Sequence, residues 1–336
     1  MTTCRSVRYT PDGAIELIET DVPDPRPHEV QVRGLACGIC SWDINTCRLG
    51  RRMASPAPPG HEGVGVVTRV GADVVDVRAG DLVAHGGFQE LRNYAARGLY
   101  RIPPTTLPPH LWLVEPVSCV VTGLDTAHIR AGDRVAVIGS GFMGLVFLQV
   151  LHHSPLAHLV AADVSPTRLQ LAHELGACEV VNTTAADPDE IAARYRPDLF
   201  DVVIDTTGTQ QGLDLATRLT RSGGQVNLFG WIKGQQATFD PTDLHVRGIS
   251  IVNSSPSARL RDPFPPAIRL IQRGVVDLQP LVSHVVPLDE YPALMQRVLG
   301  GDPTYLKGVV MLGEPASATD GPGHGKTGVT RARASA

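Results

Sequence analysis

Six residues near the middle of the chain, Gly139–Gly144, restrict its fold more than any other segment. They read Gly-Ser-Gly-Phe-Met-Gly, directly after the apolar run Val135–Ile138 and at the start of the apolar stretch Phe142–Leu151. A strand, a glycine-rich turn and a helix in this order are typical of dinucleotide binding, although a turn that serves only packing would have the same sequence. The candidate cofactor residues of the turn are Gly139, Gly141, Phe142, Met143 and Gly144.

A second apolar strand, Leu159–Ala162, ends at Asp163, 24 residues after Gly139. A carboxylate at this position accepts hydrogen bonds from the ribose hydroxyls of the adenosine and repels a 2′-phosphate. The sequence therefore favours NAD over NADP. Arg168 follows about one helical turn later and either flanks the adenine or is a solvated helix residue.

The order of strands and helices predicts an α/β chain with two parts. From about residue 133 short apolar runs alternate with helical stretches, which indicates a parallel sheet covered by helices. Residues 1 to about 115 contain short alternating runs separated by turn residues, which indicates a compact, mostly β domain. A length of 336 residues suits two domains. The last 23 residues lack apolar periodicity, and we expect a disordered tail.

Composition excludes several classes of function. With 30 basic and 34 acidic residues the net charge is −4, which argues against nucleic acid as a partner. No run approaches the roughly 18 apolar residues of a membrane span, and the first ten residues do not resemble a signal peptide. Six cysteines in a chain of this length do not form a disulfide framework. We expect a reduced, cytoplasmic protein without membrane contact.

Candidate metal ligands lie in the first part of the chain. Cys37 and Cys40 form a Cys-x-x-Cys pair, and His61 and Glu62 follow in a Gly-His-Glu sequence. Cysteine, histidine and glutamate side chains bind zinc, and a catalytic site needs three of them and an open position. Three alternatives stay open on the residues alone: a redox pair, a structural knuckle that includes Cys47, and buried cysteines that act as small apolar residues.

From residue 5 to 312 the chain resembles the zinc-dependent medium-chain dehydrogenases, the family of alcohol, sorbitol and threonine dehydrogenases. The resemblance rests on Cys40 with Gly60–Glu62, on the segment Gly86–Glu90, and on Glu115–Cys119 before the nucleotide fold. It implies a GroES-like, mostly-β catalytic domain and a Rossmann domain with a doubly wound parallel sheet. The implied ranges are 1–117 with 256–313 for the first, 118–255 for the second and 314–336 for the tail.

The resemblance also implies the roles of the site residues. Cys40, His61 and Glu62 would bind the metal, with Glu115 as a fourth ligand or as a close neighbour that exchanges with water. One zinc per chain is expected, since the family's structural-zinc lobe has no counterpart after the strand Leu82–Ala84. Asp43 would orient a ligand. Lys307 stands where relatives place a basic residue near the pyrophosphate, although an exposed lysine is the alternative.

Trp42 is a departure from the family. Relatives usually carry serine or threonine at this position, two residues after the ligand cysteine, and its hydroxyl starts a proton relay. An indole N–H donates a hydrogen bond but passes no proton onward. The later histidine of many relatives is replaced by Asn45 or Thr46. Trp42 is therefore either a stacking wall for a ring-shaped substrate or a packing residue.

The function that this resemblance implies is hydride transfer between NAD and a secondary alcohol or its ketone. The Glu115 variant favours a polyol, cyclitol, sugar or amino alcohol as the small-molecule substrate. Alternatives are a zinc-free reductase, a redox-neutral epimerase or eliminase that uses NAD, and a catalytically silent NAD-binding protein. The family also implies a homodimer or homotetramer, with Gly248–Asn253 as the candidate contact.

Overall fold

The computed structural model of the chain describes residues 2–10, 13–48, 59–230, 236–256 and 259–313. The predicted disordered tail, residues 314–336, lies outside these ranges. Within them the chain forms sheets of two, six and seven strands. No helix of the described part is long and apolar enough to cross a membrane.

The elements alternate along the chain much as the apolar pattern predicts. The strands are β1 Thr2–Tyr9, β2 Ile15–Val22, β3 Glu29–Gly38, β4 Glu62–Val70, β5 Leu82–Ala84, β6 Leu91–Ala95, β7 Tyr100–Arg101, β8 Arg134–Ile138, β9 His158–Asp163, β10 Glu179–Asn182, β11 Phe200–Asp205, β12 Thr220–Leu228, β13 Ser250–Asn253, β14 His284–Pro287 and β15 Gly308–Met311. The α-helices are α1 Ser41–Arg48, α2 Val114–Ala127, α3 Phe142–His152, α4 Pro166–Glu174, α5 Pro188–Ala193, α6 Gln210–Leu219, α7 Pro241–Arg247, α8 Phe264–Gln272 and α9 Tyr291–Leu299.

The six-stranded sheet confirms the predicted doubly wound fold. Its strand order is β10-β9-β8-β11-β12-β13, and every pairing is parallel. Strands such as β8 are almost wholly apolar because helices cover both faces of a parallel sheet. The order of strands reverses between β8 and β11, and the glycine-rich turn follows β8 at this point. Ligands of open α/β sheets bind beside such a reversal.

The seven-stranded sheet joins the two ends of the chain. Its order is β14-β15-β3-β4-β5-β7, and β6 pairs with the amino-terminal half of β3. The long strand β3 is central, since it pairs with β4 and also with β15 from the carboxyl-terminal part. The last strand of the chain therefore lies beside the residues that follow β3.

The two large sheets share one buried apolar cluster. It contains Val64 from β4 and Ala84 from β5 together with Val135 from β8, and α2 and α8 contribute to it as well. The ring of Tyr100 stacks on that of Phe264 with centroids 4.2 Å apart. The predicted limit at residue 117 falls inside α2, and α8, which follows residue 256, belongs to the same cluster as α2. The domain limits at these positions therefore stay a prediction.

Candidate active site

Three side chains of the kinds that bind zinc come together beside the amino end of α1. The Sγ of Cys40, a ring nitrogen of His61 and a carboxylate oxygen of Glu62 all lie within 4.8 Å of one another. Within the described ranges no other group of three or more His, Cys, Asp or Glu side chains meets as closely. Glu62 is only 2% exposed whereas His61 is exposed, so the group is covered on one side and open on the other. Three ligands with one open side are typical of catalytic zinc.

Two antiparallel strands bring these residues together. β3 ends at Gly38 and the chain enters α1 at Ser41, which places Cys40 in the short connection. β4 begins at Glu62, which pairs with Gly38 across the two strands. A Cβ added to Gly38 would lie 2.2 Å from Oε2 of Glu62. Only glycine at this position therefore leaves room for the buried carboxylate.

The neighbouring cysteines do not join the group. Cys37 is completely buried on β3, and Cys47 on α1 is 7% exposed; both belong to one apolar cluster with Ile39 and Met295. All six cysteines are free thiols. The structure thus supports neither the redox pair of Cys37 with Cys40 nor the knuckle that includes Cys47. Both residues act as small apolar core side chains.

Asp43 is buried in α1 and contacts the backbone of Cys40. Its Oδ2 accepts a hydrogen bond from the backbone N–H of Cys40 at 3.0 Å, and its Oδ1 accepts one from the hydroxyl of Tyr9 at 3.1 Å. Burial raises the pKa of Asp43 to about 6, although the nearby His61 acts in the opposite direction. A carboxylate that accepts the backbone N–H of a ligand-type residue restricts the position of that residue.

Lys307 is buried at the site, which excludes the alternative of an exposed lysine. It is 4% exposed, its Nζ lies 2.5 Å from Oε2 of Glu62, and it donates a hydrogen bond to the carbonyl of Ile39 at 2.9 Å. The ammonium also lies 4.6 Å from the ring centroid of Phe142, the first residue of α3. Burial acts to lower the pKa of Lys307, but the charge and hydrogen bond of Glu62 together with the nearby Cys40 and Tyr305 outweigh it and raise the pKa above its usual value. Lys307 therefore balances the charge of Glu62; contact with a pyrophosphate stays a prediction.

Glu115 lies outside the group of three ligand-type side chains. It stands in the first turn of α2, and its Oε1 accepts a hydrogen bond from the thiol of Cys119 at 3.4 Å. Burial and the negative charge of Glu62 raise the pKa of Glu115. Both alternatives for Glu115, a direct bond to metal and a neighbour that exchanges with water, stay predictions.

Trp42 lies two residues after Cys40 and is exposed. Its backbone N–H contacts the Sγ of Cys40 at 3.4 Å, and the residue is 41% exposed. It belongs to none of the buried apolar clusters of the described chain, which does not support a packing role. Thr46 donates its hydroxyl proton to the carbonyl of Trp42, and the buried Nδ2 of Asn45 has no partner in the described part. The structure therefore shows no hydroxyl relay beside Cys40 on this helix.

The glycine-rich turn has the geometry that a dinucleotide requires. Gly139 has a φ of +94°, and a Cβ on Gly144 would lie 1.8 Å from the carbonyl oxygen of Gly139. These two glycines permit the turn and the close packing of α3 on β8. A Cβ on Gly141 would meet no heavy atom within 4 Å, so this glycine faces open space at the start of the helix. That space suits a pyrophosphate.

Asp163 and Arg168 follow β9 but make different contacts. The carboxylate of Asp163 accepts hydrogen bonds from the backbone N–H groups of Ser140 at 2.6 Å and Ser165 at 2.8 Å. It is therefore tied to the glycine-rich turn. Arg168 is half-buried, and its guanidinium donates to the backbone carbonyl of Tyr305 at 3.4 Å. It is thus not a freely solvated helix residue, and a contact with adenine stays a prediction.

Sequence reasoning missed two features of the site. It did not foresee the ion pair of Lys307 with Glu62 or the hydroxyl of Tyr9 on Asp43. Lys307 and Glu62 are 245 residues apart, and Tyr9 and Asp43 are 34 residues apart in different elements, so no local pattern indicates either contact. The pairing of β15 with β3 brings the first one about.

Two family models match the chain. Residues 26–104 match the alcohol dehydrogenase GroES-like domain, and residues 143–273 match the zinc-binding dehydrogenase domain. Together they match more than half of the chain. The first contains the group of Cys40, His61 and Glu62, and the second begins inside the glycine-rich turn.

Curated relatives match the chain over most of its length. Sorbitol dehydrogenase of Gallus gallus is 29% identical in an alignment of 317 positions that covers 83% of this chain and 88% of that protein. D-arabinitol dehydrogenase 1 of Uromyces fabae is 27% identical in an alignment of 327 positions that covers 86% of this chain and 92% of that protein.

Solved structures show the same fold. A zinc-binding dehydrogenase from Sinorhizobium meliloti bound to NADP is 25% identical and superposes with a TM-score of 0.83, over 93% of this chain and all of that one. Galactitol-1-phosphate dehydrogenase from Escherichia coli, at 20% identity, has a TM-score of 0.82 over 91% of this chain and 99% of that one. With both family domains in the family's order and a ligand group where the GroES-like domain is matched, the chain belongs to the zinc-type medium-chain dehydrogenases.

Proposed function

We propose that this dehydrogenase is zinc- and NAD-dependent and oxidises a secondary alcohol of a polyol, cyclitol, sugar or amino alcohol to the ketone. The observation that carries the proposal is the meeting of Cys40, His61 and Glu62 within 4.8 Å, with His61 exposed. The matched relatives act on sorbitol and D-arabinitol, which supports this substrate class. Fold alone would not support it, since one fold serves many activities.

The residues present fit one zinc ion per chain. Thiolate, imidazole and carboxylate are its usual protein ligands, and the buried charge of Glu62 is already balanced by Lys307. Zinc supplies a Lewis acid that favours loss of the alcohol proton, and NAD supplies the hydride acceptor. Burial raises the pKa of the Cys40 thiol, so metal uptake has to displace its proton.

The protein itself positions and shields the reacting groups. Cys40, His61 and Glu62 would hold the metal with the open side toward substrate, and Asp43 orients the loop that carries Cys40. Trp42 is exposed two residues after Cys40 and would form a wall of the substrate site. Since the indole cannot relay a proton, the alcohol proton would leave through water on the exposed side of His61.

The choice between NAD and NADP depends on Asp163. Replacing Asp163 with serine should lower kcat/KM for NAD by about 10- to 100-fold, since charge-assisted hydrogen bonds to the ribose contribute roughly 1.5–3 kcal/mol. The same change should raise kcat/KM for NADP, because the repulsion of the 2′-phosphate is removed. Steady-state rates with both cofactors at one substrate concentration measure the ratio.

Asp201→Ser is the matched control for this change. Its carboxylate also accepts a backbone N–H, that of Arg134, but at the opposite end of the sheet from the glycine-rich turn. It should leave the ratio of NAD to NADP unchanged. A wild-type enzyme that prefers NADP would contradict the assignment of Asp163.

Trp42 should determine which substrates bind. Replacing it with alanine should raise KM for ring-shaped polyols about 2- to 10-fold with a smaller change in kcat, since aromatic contacts contribute roughly 0.5–1.5 kcal/mol. KM for open-chain polyols should rise less, because these substrates present no flat apolar face. The measurement compares a cyclitol with sorbitol on the same preparation.

Phe239→Ala serves as the control, since Phe239 is also an exposed aromatic residue, at 54%, but precedes α7 in the nucleotide-binding half. If Trp42→Ala raises KM equally for cyclic and open-chain polyols, Trp42 is not a stacking wall for ring-shaped substrates.

We also propose that two copies pair through β13. This four-residue strand forms one edge of the six-stranded sheet, and the backbone on its outer side lacks a partner strand in the described chain. Edge strands are templates for pairing with a second chain. Light scattering of the purified protein distinguishes monomer, dimer and tetramer. A cytoplasmic location likewise stays a prediction.

The proposed function is tested on protein purified without chelator. We expect close to one zinc per chain by elemental analysis, and NADH formation with at least one member of a panel of polyols, cyclitols and amino alcohols. Removal of zinc with a chelator should abolish turnover, and added zinc should restore it. Turnover without zinc would favour the zinc-free reductase, and NAD binding with zinc but no net NADH would favour a redox-neutral or silent protein.

A further inference from the structure

A short line of hydrogen bonds extends from Asp43 away from the metal-binding group. The hydroxyl of Tyr9 lies 3.1 Å from Oδ1 of Asp43 and 2.6 Å from the hydroxyl of Tyr291. Each phenol has one proton to donate. Because an ionised Asp43 only accepts, Tyr9 gives its proton to the carboxylate, and Tyr291 must then donate to Tyr9. The order is Tyr291 to Tyr9 to Asp43.

The other oxygen of Asp43 contacts the short connection between β3 and α1 that carries Cys40. Oδ2 accepts the backbone N–H of Cys40 at 3.0 Å, and Asp43 is 1% exposed. A buried carboxylate without enough donors is costly, so the donors that face it determine where it stays. The Tyr9 hydroxyl fixes the oxygen that the Cys40 backbone does not hold.

Packing holds the two phenols in place. Tyr291 is fully buried and its ring lies 4.7 Å from that of Phe88, while Tyr9 packs at the edge of the same apolar cluster. Tyr9 ends β1 and Tyr291 begins α9, so the line joins the two ends of the chain behind α1. Hydrogen-bonded side chains in series strengthen one another in a low-dielectric interior.

We propose that Tyr9 and Tyr291 are positioning residues of the metal site, which hold Asp43 so that the connection carrying Cys40 keeps the geometry that binds zinc. The inference rests on the proposed zinc-dependent function. The hydrogen bonds connect both phenols to the backbone of Cys40 through Asp43. Since Tyr291 reaches Asp43 only through Tyr9, removing both hydroxyls should cost no more metal affinity than removing that of Tyr9 alone.

The test measures binding of Co²⁺ to chelator-stripped protein, by competition with a coloured chelator and by the cobalt absorption bands. Tyr9→Phe should weaken Co²⁺ binding about 10-fold, the lower end for groups that support metal ligands, and should alter the bands. Tyr291→Phe should weaken it less, and the double variant should match Tyr9→Phe. Tyr195→Phe is the control, because it loses a hydroxyl bonded to Glu179 at 2.7 Å in the other sheet.

Unchanged Co²⁺ affinity and bands in both phenylalanine variants, with only a lower urea midpoint as in Tyr195→Phe, would overturn the inference while leaving the proposed function intact. Additive losses in the double variant would overturn the serial order. Wild-type protein that binds neither Co²⁺ nor Zn²⁺ would overturn this inference together with the proposed function.

Discussion

Cys40→Ser should lose its zinc and nearly all of its dehydrogenase activity. The thiol is one of three ligand-type side chains that meet within 4.8 Å, and a serine hydroxyl is a poor ligand for zinc at neutral pH. A metal Lewis acid contributes several kcal/mol to such a reaction. At 1.36 kcal/mol for each factor of ten, kcat/KM should fall by roughly 10³-fold. Elemental analysis and NADH formation on the same sample check both parts.

Cys47→Ser is the matched control for this substitution. Cys47 lies seven residues further along and is buried in α1, but it is not part of the ligand group. The control should keep about one zinc per chain and lose only some stability. If Cys40→Ser turns over as fast as the wild type, the metal has no part in the reaction and a zinc-free reductase becomes the better assignment.

Lys307→Met should strongly destabilise the zinc-free protein. The substitution leaves the carboxylate of Glu62, whose side chain is 2% exposed, without the cation that lies 2.5 Å away. Removing one partner of a buried ion pair costs about 3–5 kcal/mol. The loss should be smaller in the zinc-loaded protein, because the metal supplies positive charge beside the same carboxylate. Urea unfolding of both forms at neutral pH measures the difference.

A second variant separates charge from packing. Glu62→Gln combined with Lys307→Met removes both charges and should recover most of the lost stability of the zinc-free form, since neutral pairs of similar volume are often tolerated. Lys307→Arg should lose less stability than Lys307→Met, because arginine retains the positive charge. If the double variant is no more stable than Lys307→Met, the side chain of Lys307 matters for packing on Phe142 rather than for charge.

Local patterns predict most of this fold. The apolar runs of β8, β9 and β11 fall where the sequence indicates strands, since strands covered on both faces are continuously apolar. The turn at Gly139 needs a positive φ, and the carbonyl oxygen of Gly139 leaves no room for a Cβ on Gly144. Such requirements are visible in a single sequence because each concerns only neighbouring residues.

The candidate site is only partly visible in this way. Cys40 and the pair His61–Glu62 are recognisable from residue type, but their meeting depends on the register of β3 with β4. The burial of Lys307 depends on β15, which returns across more than two hundred residues to pair with β3. Contacts over such distances leave no periodic signal, and only tertiary packing decides them.

The return of β15 to β3 also has a consequence for synthesis of the protein. Cys40, His61 and Glu62 leave the ribosome early, whereas Tyr291 and Lys307 come from the last fifty residues. Domains generally fold as units while the chain is made, at about 5–20 residues per second. The six-stranded sheet can thus be complete before the cation beside Glu62 exists outside the ribosome. Since 245 residues separate Glu62 from Lys307, a nascent chain would expose an unbalanced carboxylate and a free thiol for about 10–50 s, and the proposed zinc site would be complete only once β15 has paired with β3.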